Sequence, residues 1–366
     1  MARGSVILAA GGTGGHLFPA FALAEELKLR EIDVDLMTDM RGDRYGADFP
    51  AREIYKVPSA TLARKTPVAA AKTAMQLTKG VAQAYRIIGR VKPGAVIGFG
   101  GYPSFPPLIA AKLRGVPSGV HEQNAVMGRA NRFLTKYVDV VATSFEVTKG
   151  LTGVGLSKAR LVGNPVRGQV LECAEKPYFA PQKGGVFSLV VFGGSQGARY
   201  FSDLVPDALS LLDAEQRARM TVIQQCREED IARTNAAYDV AGINAKTAPF
   251  FSNLPELMTG AHLVIGRAGA STVAELAVLG RPAIMVPLPH ALDNDQLHNA
   301  RRLAESGGGW CIEQKDLNSN ILAAQIASFM DEPDELKIAA DCAKDVGVPE
   351  APKLLADLVE ELAQIS

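Results

Sequence analysis

The sequence predicts an α/β protein with two parallel-sheet domains. Three observations lead to this fold class: short apolar runs alternate with helical patterns, the alternation restarts near the middle of the chain, and each half opens with a strand that runs into consecutive glycines. With 366 residues, of which 47% are hydrophobic, the chain can fill two ordinary cores. We therefore expect two similar Rossmann-like domains that face each other across a cleft.

Apolar and β-branched runs place the strands and the first helix. In the first half, the predicted strands are residues 5–10, 33–38, 95–99 and 139–143. In the second half, they are residues 187–192, 220–225, 262–266 and 282–286. A helix is predicted after the first strand, over residues 19–30. Because strand–helix alternation produces parallel sheets with right-handed crossovers, ligands are expected at the carboxyl ends of the strands.

A connector, residues 161–167, separates the two halves. Pro165 disfavours a helix at the residue before it, and the polar stretch 172–185, which contains proline and glycine, completes the boundary. The predicted first domain is residues 1–165, and the predicted second domain is residues 166–345. Residues 346–366 are expected to form a C-terminal helix that packs back on the first domain.

The composition argues against several classes of protein. Lys plus Arg and Asp plus Glu number 39 each, so the overall charge gives no reason to expect a nucleic-acid partner. The four cysteines lack the close pairing that metal sites and secreted disulfide frameworks use, which favours a reducing, cytoplasmic setting. Two charge-free stretches, 4–24 and 93–111, are interrupted by glycines or prolines, so no transmembrane segment is predicted.

Two glycine-rich turns at matching places in the halves predict phosphate binding. One strand runs into residues 11–15, Gly-Gly-Thr-Gly-Gly, and another runs into residues 193–197, Gly-Gly-Ser-Gln-Gly. Consecutive glycines let the backbone approach an anion, and the next helix presents unpaired N–H groups. A tight turn that needs glycine only for packing is the alternative. The pattern of a nicotinamide dinucleotide site is incomplete in both turns, although Asp39 after the second strand leaves that alternative open.

Histidines at strand ends are candidates for acid–base chemistry. An imidazole can accept a hydroxyl proton near neutral pH. His16, just beyond the first glycine turn, is therefore a candidate base, and a histidine that only hydrogen-bonds the backbone or a phosphate is the alternative. His121 begins the polar run His-Glu-Gln-Asn over residues 121–124. This run indicates either a ligand site at a strand end or a structural hydrogen-bond network.

A third glycine-containing turn follows a strand in the second half, at residues 266–272, and Glu275 comes after it. A carboxylate in the first turn of a helix suits ribose hydroxyls. Thr272 and Glu275 also have the spacing of a capping box, which the residues alone favour. Arg167, in the connector, offers a planar guanidinium for a diphosphate or a carboxylate, and a solvated arginine is the alternative.

Two Asp-x-Asp pairs raise the question of a divalent metal. Asp33 and Asp35 open a strand and are expected to be solvated. Asp293 and Asp295 follow a strand in the second half, where a metal would assist a diphosphate. Because helix N-termini and Arg167 already offer positive charge to a leaving diphosphate, no metal and no cofactor is predicted.

The first half contains a basic block, although the whole chain is neutral. From residue 54 to residue 121 there are ten Lys or Arg and no Asp or Glu. Lys72, Lys79 and Arg86 recur every seven residues along a predicted helix. The opposite, apolar face of that helix is formed by Leu77, Val81, Ala84, Ile88 and Val91. The absence of acids favours anionic lipid headgroups over an ordinary solvated surface. Shallow apolar contacts would come from Val68, Met75 and Tyr85.

Taken together, these motifs resemble the bacterial MurG family. The resemblance runs in order from about residue 5 past residue 309. It is carried by residues 11–16, 100–102, 121–124, 164–167, 193–198 and 267–275. It implies the two-domain glycosyltransferase-B fold and a place at the cytoplasmic face of the cell membrane. It also implies an inverting transfer in peptidoglycan synthesis, from UDP-N-acetylglucosamine to the muramyl-pentapeptide carried on undecaprenyl pyrophosphate.

The same resemblance implies roles for individual residues of the first domain. His16 would be the base for the muramyl 4-hydroxyl. The acceptor's pyrophosphate and the sugar would face a group of five residues: Thr13, Gly14, Gly15, Gly100 and Gly101. Asn124 would touch the transferred sugar.

The donor contacts implied by the resemblance lie at the end of the connector and beyond it. Arg167 and Ser195 would hold the phosphates of UDP, and Glu275 would bind the ribose. The backbone of Phe251 would lie against uracil, and Gln296 would reach the sugar hydroxyls, although segment 290–296 is a residue longer than in the family. Donor binding would also involve Ala270, Ser271 and Thr272.

Two other functions stay open at this point. A UDP-sugar 2-epimerase on the same fold would need neither a lipid nor the basic block. A non-catalytic protein that binds a lipid or a nucleotide would transfer nothing. The fate of labelled sugar separates the three functions. A transferase moves the label to a lipid, an epimerase releases it as a free isomer, and a binding protein does neither.

Overall fold

The computed structural model of the chain describes residues 4–11, 14–39, 49–60, 67–194 and 198–365. Thr13 and Ser195, two of the predicted binding residues, lie outside the described residues, as does the side chain of Val68. The chain divides into two compact units, of which unit 1 is Met1–Gly168 with Pro349–Ser366 and unit 2 is Gln169–Val348. The chain changes units after residues 168 and 348, close to the predicted boundaries at 165 and 345.

Unit 1 is built on one parallel sheet. Its strands are β1 (Gly4–Ala9), β2 (Ile32–Thr38), β3 (Glu53–Lys56), β4 (Ala95–Gly98), β5 (Ser118–Glu122), β6 (Val140–Thr143) and β7 (Ala159–Leu161). Their order across the sheet is β3-β2-β1-β4-β5-β6-β7, and each neighbouring pair is parallel. Parallel sheets are covered on both faces, which is why the central strands β1 and β4 are apolar and buried.

Helices cover the two faces of this sheet. They are α1 (Gly14–Leu29), α2 (Pro67–Val91), α3 (Phe105–Arg114), α4 (Arg129–Leu134) and α5 (Val154–Ser157). The next helix along the chain, α6 (Gly168–Ala174), lies at the start of unit 2. Side chains alternate along β1, so Val6 and Leu8 pack in one core cluster with α1, whereas Ile7 packs in the other with α2 and α3.

Helix α2 has the two faces that the sequence predicts. Ala84 and Ile88 are buried in the core, and the predicted basic stripe, Lys72, Lys79 and Arg86, is exposed. Gly80 allows the helix to lie against the preceding loop, because a Cβ there would be 2.1 Å from the carbonyl oxygen of Pro58. Within the described residues, no helix combines the length and the apolar content that a membrane span requires.

The first Asp-x-Asp pair is an ion-pair site, and the expectation that both residues are solvated is wrong for Asp35. Asp35 is completely buried, and it binds Arg52 at 2.6 and 3.2 Å. The same guanidinium reaches Asp33 at 2.8 Å. Because β2 is an inner strand, its alternate residues point into the protein, and the buried carboxylate requires the cation from the loop before β3.

Unit 2 repeats the architecture with a parallel sheet of its own. Its strands are β8 (Phe187–Phe192), β9 (Met220–Gln225), β10 (Asn244–Ala248), β11 (Leu263–Gly266), β12 (Ala283–Met285) and β13 (Gly309–Cys311), in the order β10-β9-β8-β11-β12-β13. The helices are α7 (Arg199–Ser210), α8 (Ala214–Ala218), α9 (Glu228–Ala241), α10 (Leu254–Thr259), α11 (Ala270–Leu279), α12 (Asp295–Glu305), α13 (Ser319–Asp331) and α14 (Asp334–Asp345).

Arg281, in the loop between α11 and β12, is a buried structural cation of unit 2. Its side chain donates to the carbonyl oxygens of five residues: Lys176, Pro177, Thr259, Leu279 and Gly280. Its guanidinium carbon also lies 5.5 Å from the ring centroid of Tyr178. Burial lowers the pKa of Arg281. The side chain thus connects the chain entering unit 2 to the ends of two of its helices.

The last helix, α15 (Ala351–Ala363), belongs to unit 1. Leu355 and Val359 pack in the same core cluster as Leu23 and Leu27 of α1. At the end of α1, the Arg30 guanidinium joins carboxylates of both helices, those of Glu26, Asp357 and Glu360. The chain therefore leaves unit 1, builds unit 2 and returns.

Candidate functional site

The candidate site of unit 1 lies where the strand order reverses. Strand β1 is flanked by β2 on one side and by β4 on the other, so the connections that leave β1 and β4 run to opposite edges of the sheet. Such a reversal opens a crevice at the carboxyl ends of the two strands, where α/β proteins bind ligands. The first glycine turn follows β1, the Gly100–Gly101 turn follows β4, and the polar run 121–124 completes β5.

The first glycine turn packs closely at Gly11, and helix α1 begins at Gly14. A Cβ on Gly11 would lie 2.9 Å from side-chain oxygens of both Thr38 and Asp39, so a larger residue there would displace these side chains. Helix α1 then begins at Gly14, which is buried, whereas Gly15 in its first turn is exposed. The exposed first turn of a helix of 16 residues presents N–H groups that suit an anion.

His16 packs on the Gly100–Gly101 turn. Both glycines have positive φ, +88° and +68°, a conformation that other residues adopt at a cost. A Cβ on Gly100 would lie 3.3 Å from Cε1 of His16, and a Cβ on Gly101 would lie 3.3 Å from its Nε2. The structure thus brings together His16, Gly100 and Gly101, three residues predicted to act on the acceptor.

A chain of hydrogen bonds runs from His16 into the protein. Nδ1 of His16 lies 3.3 Å from Oε1 of Gln123, and Nε2 of Gln123 lies 3.0 Å from Nδ1 of His121. Nε2 of His121 is 3.0 Å from the carbonyl oxygen of Gly163. His121 and Gln123 are buried, and burial lowers the pKa of His121 to about 4. The structural network proposed as an alternative for this polar run is therefore present, and it ends at the candidate base.

Glu122 holds the loop that follows β5. Its buried carboxylate accepts hydrogen bonds from the backbone N–H groups of Asn124 and Gly128 and from the side-chain amides of Asn124 and Asn131. No cation is among these donors, so four N–H groups compensate the charge. Asn124 is half-buried, and its orientation is set by Glu122.

Arg167 lies in unit 1, although the resemblance assigns it to the phosphates of the donor. Its guanidinium carbon is 4.3 Å from the ring centroid of Phe18, in the first turns of α1. The next residue, Gly168, donates its backbone N–H to Glu25 of the same helix. The connector is thus attached along α1, and Arg167 lies beside the helix that follows the first glycine turn.

The second glycine turn lies at the corresponding strand reversal of unit 2, between β8 and β11. Gly193 donates its N–H to the side-chain oxygen of Gln225 at 3.3 Å, and Gly194 has a φ of +83°. The side-chain nitrogen of Gln225 donates to the carbonyl oxygen of Pro249. Gln225 therefore connects the turn to the loop that contains Phe251, the predicted uracil contact.

The predicted capping box at Thr272 and Glu275 is wrong. Helix α11 begins at Ala270 and its N-cap is Gly269, with no side-chain cap. Thr272 therefore lies inside the first turn, and Glu275 lies in the second turn, where it is buried. The hydroxyl of Ser271 is buried without a hydrogen-bond partner among the described residues.

Arg267 organises the loops at the carboxyl ends of β11 and β12. It is 7% exposed, and its side chain donates to the carbonyl oxygens of Val286 and Pro287 and to the side chain of Gln314. The guanidinium carbon lies 5.0 Å from the ring centroid of Phe201. Burial lowers the pKa of Arg267. Its role in the structure is to hold the chain that leads to residues 288–296.

Gln296, a predicted sugar contact, is attached to that same segment. Its side-chain oxygen accepts the N–H of Leu288 at 2.9 Å. Between these two residues, His290, Asp293 and Asn294 all have positive φ, between 55° and 59°. Three such residues in one short segment are unusual and store backbone strain, of the kind found at ligand clamps. Among the described residues, no three His, Cys, Asp or Glu side chains are grouped as metal ligands.

The predicted residues that the structure describes are divided between the two units. Unit 1 contains Gly14, Gly15, His16, Gly100, Gly101, Asn124 and Arg167, and unit 2 contains Phe251, Ala270, Ser271, Thr272, Glu275 and Gln296. Sequence reasoning did not find the bracing roles of Gln225, Arg267 and Asn131. A buried arginine and two amides carry no spacing signal, although Gln225 and Arg267 stand at or just after strand ends, where α/β proteins bind ligands.

Family models match both units. Residues 6–143 match the N-terminal domain of glycosyltransferase family 28, and residues 188–355 match its C-terminal domain. The strand-reversal sites described above fall within these two matches. The two parallel-sheet α/β domains therefore have the glycosyltransferase-B architecture that the sequence predicts.

Curated relatives cover nearly the whole chain. A UDP-N-acetylglucosamine–N-acetylmuramyl-(pentapeptide) pyrophosphoryl-undecaprenol N-acetylglucosamine transferase from Sinorhizobium fredii is 52% identical over 99% of this chain and 96% of its own length. The transferase of the same name from Mesorhizobium japonicum is 51% identical with the same coverage. Both alignments extend over units 1 and 2.

Solved structures agree in fold. The crystal structure of MurG from Acinetobacter baumannii has a TM-score of 0.79 and 29% identity, with 98% of this chain and 99% of that chain covered. A UDP-GlcNAc 2-epimerase from Neisseria meningitidis has a TM-score of 0.65, but at 15% identity over 98% and 100% of the two chains this shows the fold alone. The chain belongs to the MurG family, within glycosyltransferase family 28.

Proposed function

We propose that the chain transfers N-acetylglucosamine from UDP-N-acetylglucosamine to the 4-hydroxyl of undecaprenyl-pyrophosphoryl-N-acetylmuramyl-pentapeptide. The curated relatives that carry this activity in their names share about half of their residues with it. The observation that carries the proposal is the position of His16 on the Gly100–Gly101 turn, at the strand reversal of unit 1. A base in such a crevice suits removal of a hydroxyl proton.

The reaction is an inverting displacement at the anomeric carbon. Nε2 of His16 takes the proton of the acceptor hydroxyl while the oxygen forms its bond to that carbon. The bond between the carbon and the diphosphate oxygen breaks, and its electron pair leaves with UDP. Negative charge grows on the diphosphate in the transition state, so fixed N–H groups and the Arg167 guanidinium lower the barrier when they are aimed at it.

The acceptor is assigned to unit 1. The N–H groups at the exposed first turn of α1, with Thr13, Gly14 and Gly15, are proposed to face its pyrophosphate, beside the Gly100–Gly101 turn. Asn124 is proposed to touch the transferred sugar, and its fixation by Glu122 supports that role.

The donor is assigned mainly to unit 2. Ser195 and Arg167 are proposed to hold the UDP phosphates, Glu275 the ribose, the Phe251 backbone the uracil and Gln296 the sugar hydroxyls. Ala270, Ser271 and Thr272 add contacts at the start of α11. The buried hydroxyl of Ser271 and the strained segment before Gln296 support a ligand at this end of the sheet.

The direct test is transfer of radiolabelled N-acetylglucosamine from its UDP sugar to a synthetic lipid-linked muramyl pentapeptide. Label that enters the butanol-extractable lipid supports the proposal. Label recovered as a free epimer identifies a 2-epimerase, and label that stays in UDP-N-acetylglucosamine identifies a binding protein. The His16→Ala variant is expected to lose turnover while it keeps its affinity for UDP.

We also propose that the basic stripe of α2 holds the protein on the cytoplasmic face of the cell membrane, as a peripheral protein. Lys72, Lys79 and Arg86 are exposed, and the acid-free block around them lacks intervening carboxylates. The side chain of Met75 on the same helix is 54% exposed. Basic residues near an anionic surface each contribute about 1 kcal/mol, and that attraction weakens with salt.

Vesicle pelleting tests this membrane proposal. The wild type is expected to pellet with phosphatidylglycerol-containing vesicles, less so at high salt, and much less after Lys72→Glu with Lys79→Glu. The matched control reverses the same charge on exposed lysines of unit 2, Lys183→Glu with Lys315→Glu, and is expected to bind like the wild type. Equal binding to purely phosphatidylcholine vesicles contradicts the proposal.

A further inference from the structure

The hydrogen-bond chain behind His16 begins at the carbonyl oxygen of Gly163, an atom that only accepts. Nε2 of His121 lies 3.0 Å from the carbonyl oxygen of Gly163, so this nitrogen carries the proton. In the neutral ring, Nδ1 is then the acceptor. A protonated His121 would instead place an N–H group against the amide N–H of Gln123. Both side chains are 1% exposed or less, so water does not offer an alternative partner.

The amide of Gln123 has one possible orientation for the same reason. Its Nε2 lies 3.1 Å from the carbonyl oxygen of His121 and 3.0 Å from Nδ1 of the same residue. Both neighbours accept hydrogen bonds, so the NH₂ end of the amide faces His121. Oε1 of Gln123 therefore faces His16. Each step is fixed by a backbone carbonyl, and neither the histidine nor the amide is free to reverse.

The chain ends by fixing the proton on His16. Oε1 of Gln123 accepts and never donates, so Nδ1 of His16, 3.3 Å away, has to carry the proton. We infer that His121 and Gln123 are positioning residues that hold His16 in the Nδ1–H tautomer, with its lone pair on Nε2. The tautomer with the proton on Nε2, which predominates in unconstrained histidine, would leave Oε1 of Gln123 buried without a donor.

This tautomer is the one that the chemistry requires, a point that rests on the proposed function. Nε2 of His16 is the nitrogen on the side of Gly101. With its lone pair on that nitrogen, the ring accepts the acceptor's hydroxyl proton without a prior exchange. When the proton arrives, the ring becomes an imidazolium whose Nδ1–H already donates to an amide oxygen. A neutral amide orients the ring and leaves the positive charge on the His16 imidazolium, which releases the proton to water after transfer.

Nitrogen-15 NMR of the imidazoles tests the inference in the ligand-free protein. In the wild type at neutral pH, His16 is expected to show a protonated Nδ1 and an acceptor Nε2, and His121 the opposite. The His16 signals are assigned from their absence in His16→Ala. In Gln123→Met, which removes all three hydrogen bonds of the Gln123 side chain, the His16 proton is expected to move largely to Nε2. In Gln123→Glu the carboxylate still accepts from Nδ1 of His16, so that nitrogen is expected to stay protonated, although His121 loses the donor at its own Nδ1.

A glutamine outside the chain provides the matched control. Gln83→Met, on α2, makes the same change where the side chain donates to the carbonyl oxygen of Lys56 and does not touch His16. It is expected to leave the His16 signals unchanged. A wild-type His16 with its proton on Nε2, or a Gln123→Met variant with an unchanged tautomer, overturns the inference. A merely structural role for Gln123 would lower stability without moving this proton.

Turnover supplies a second and separate measurement. Gln123→Met is expected to lower kcat about 10- to 100-fold with an unchanged KM for UDP-N-acetylglucosamine, since the donor contacts are untouched. A raised KM with normal kcat would contradict the positioning role. If the protein transfers no sugar at all, the proposed function fails, whereas the NMR result on the ligand-free protein still decides the tautomer.

Discussion

The imidazole of His16 lies against Gly101 so closely that a methyl group there would be 3.3 Å from Nε2. The Gly101→Ala variant is therefore expected to lose turnover about 10- to 100-fold, because the reactive nitrogen would be displaced or covered. It is also expected to lose about 1–2 kcal/mol of unfolding free energy, since its φ is +68°. Initial rates with a lipid-linked acceptor and urea denaturation measure the two effects.

Gly115 provides the control for this substitution. It has nearly the same backbone conformation, with a φ of +67°, and a Cβ there would meet nothing within 4 Å. Gly115→Ala is therefore expected to lose a similar amount of stability and to keep normal turnover. Equal loss of turnover in the two variants would show that backbone strain, and not contact with His16, is responsible.

The buried His121 predicts a specific loss of stability in acid. Its pKa is lowered from 6.5 to about 4 in the folded protein. Between these two values the unfolded chain binds a proton that the fold excludes, so the free energy of unfolding decreases as the pH falls. The stabilisation is complete above pH 6.5, and about 3 kcal/mol is lost by pH 4. Urea unfolding at a series of pH values measures it.

A His121→Gln variant tests whether this residue is the cause. It is expected to be less stable at pH 7 and to show a flatter dependence on pH between 7 and 4. Some dependence remains, because burial also lowers the pKa of His262, whose Nδ1 accepts the N–H of Ser188. A variant curve parallel to that of the wild type would exclude His121 as the main source.

Arg281→Lys is expected to destabilise unit 2 although the charge is kept. The guanidinium donates to five carbonyl oxygens in different directions, whereas an ammonium group reaches fewer of them and is more strongly hydrated. The expected loss is about 2–4 kcal/mol, measured by thermal or urea denaturation. Arg302→Lys is the control, because its contact with Glu305 is exposed and worth little. Similar stability of the two variants would contradict the bracing role of Arg281.

Gln225 is expected to influence the donor and not the acceptor. Its side chain holds both the N–H of Gly193 and the carbonyl oxygen of Pro249. The Gln225→Leu variant is expected to raise the KM for UDP-N-acetylglucosamine about tenfold, since both loops lose their common support. The KM for the lipid acceptor should stay the same. Gln182→Leu, on the exposed surface of unit 2, is the control, and a change confined to the acceptor KM would reject the assignment.

The apolar periodicity of the sequence predicted the bounds of every inner strand except β5, and it missed the edge strands. The predictions for β8 and β9 agree with the structure at both ends, and those for β1, β2, β4, β6, β11 and β12 agree within a residue or so. The edge strands β3, β7, β10 and β13 are mostly exposed or half-buried, so they lack the signal of burial. The start of α1 was also missed, because Gly14 and Gly15 have the composition of a loop.

The candidate site was likewise predicted in part and missed in part. His16 and the glycine turns were identified because they follow strands directly, and that property is visible along the chain. The connection of His16 to Gln123 joins residues 107 positions apart. Two backbone carbonyls determine which atoms donate and which accept along this connection. Only the fold defines where those carbonyls lie. The burial of Asp35 was missed for a similar reason, since its partner Arg52 comes from the next connection.

The return of α15 to unit 1 has a consequence for the order of folding during synthesis. Leu23 and Leu27 of α1 are covered by Leu355 and Val359, which leave the ribosome only after all of unit 2. At ordinary rates of translation this interval is on the order of ten seconds or more. During this interval, the apolar face of α1 that contains Leu23 and Leu27 is not covered by α15. The nascent chain therefore keeps Leu23 and Leu27 without this part of their packing until α15 emerges.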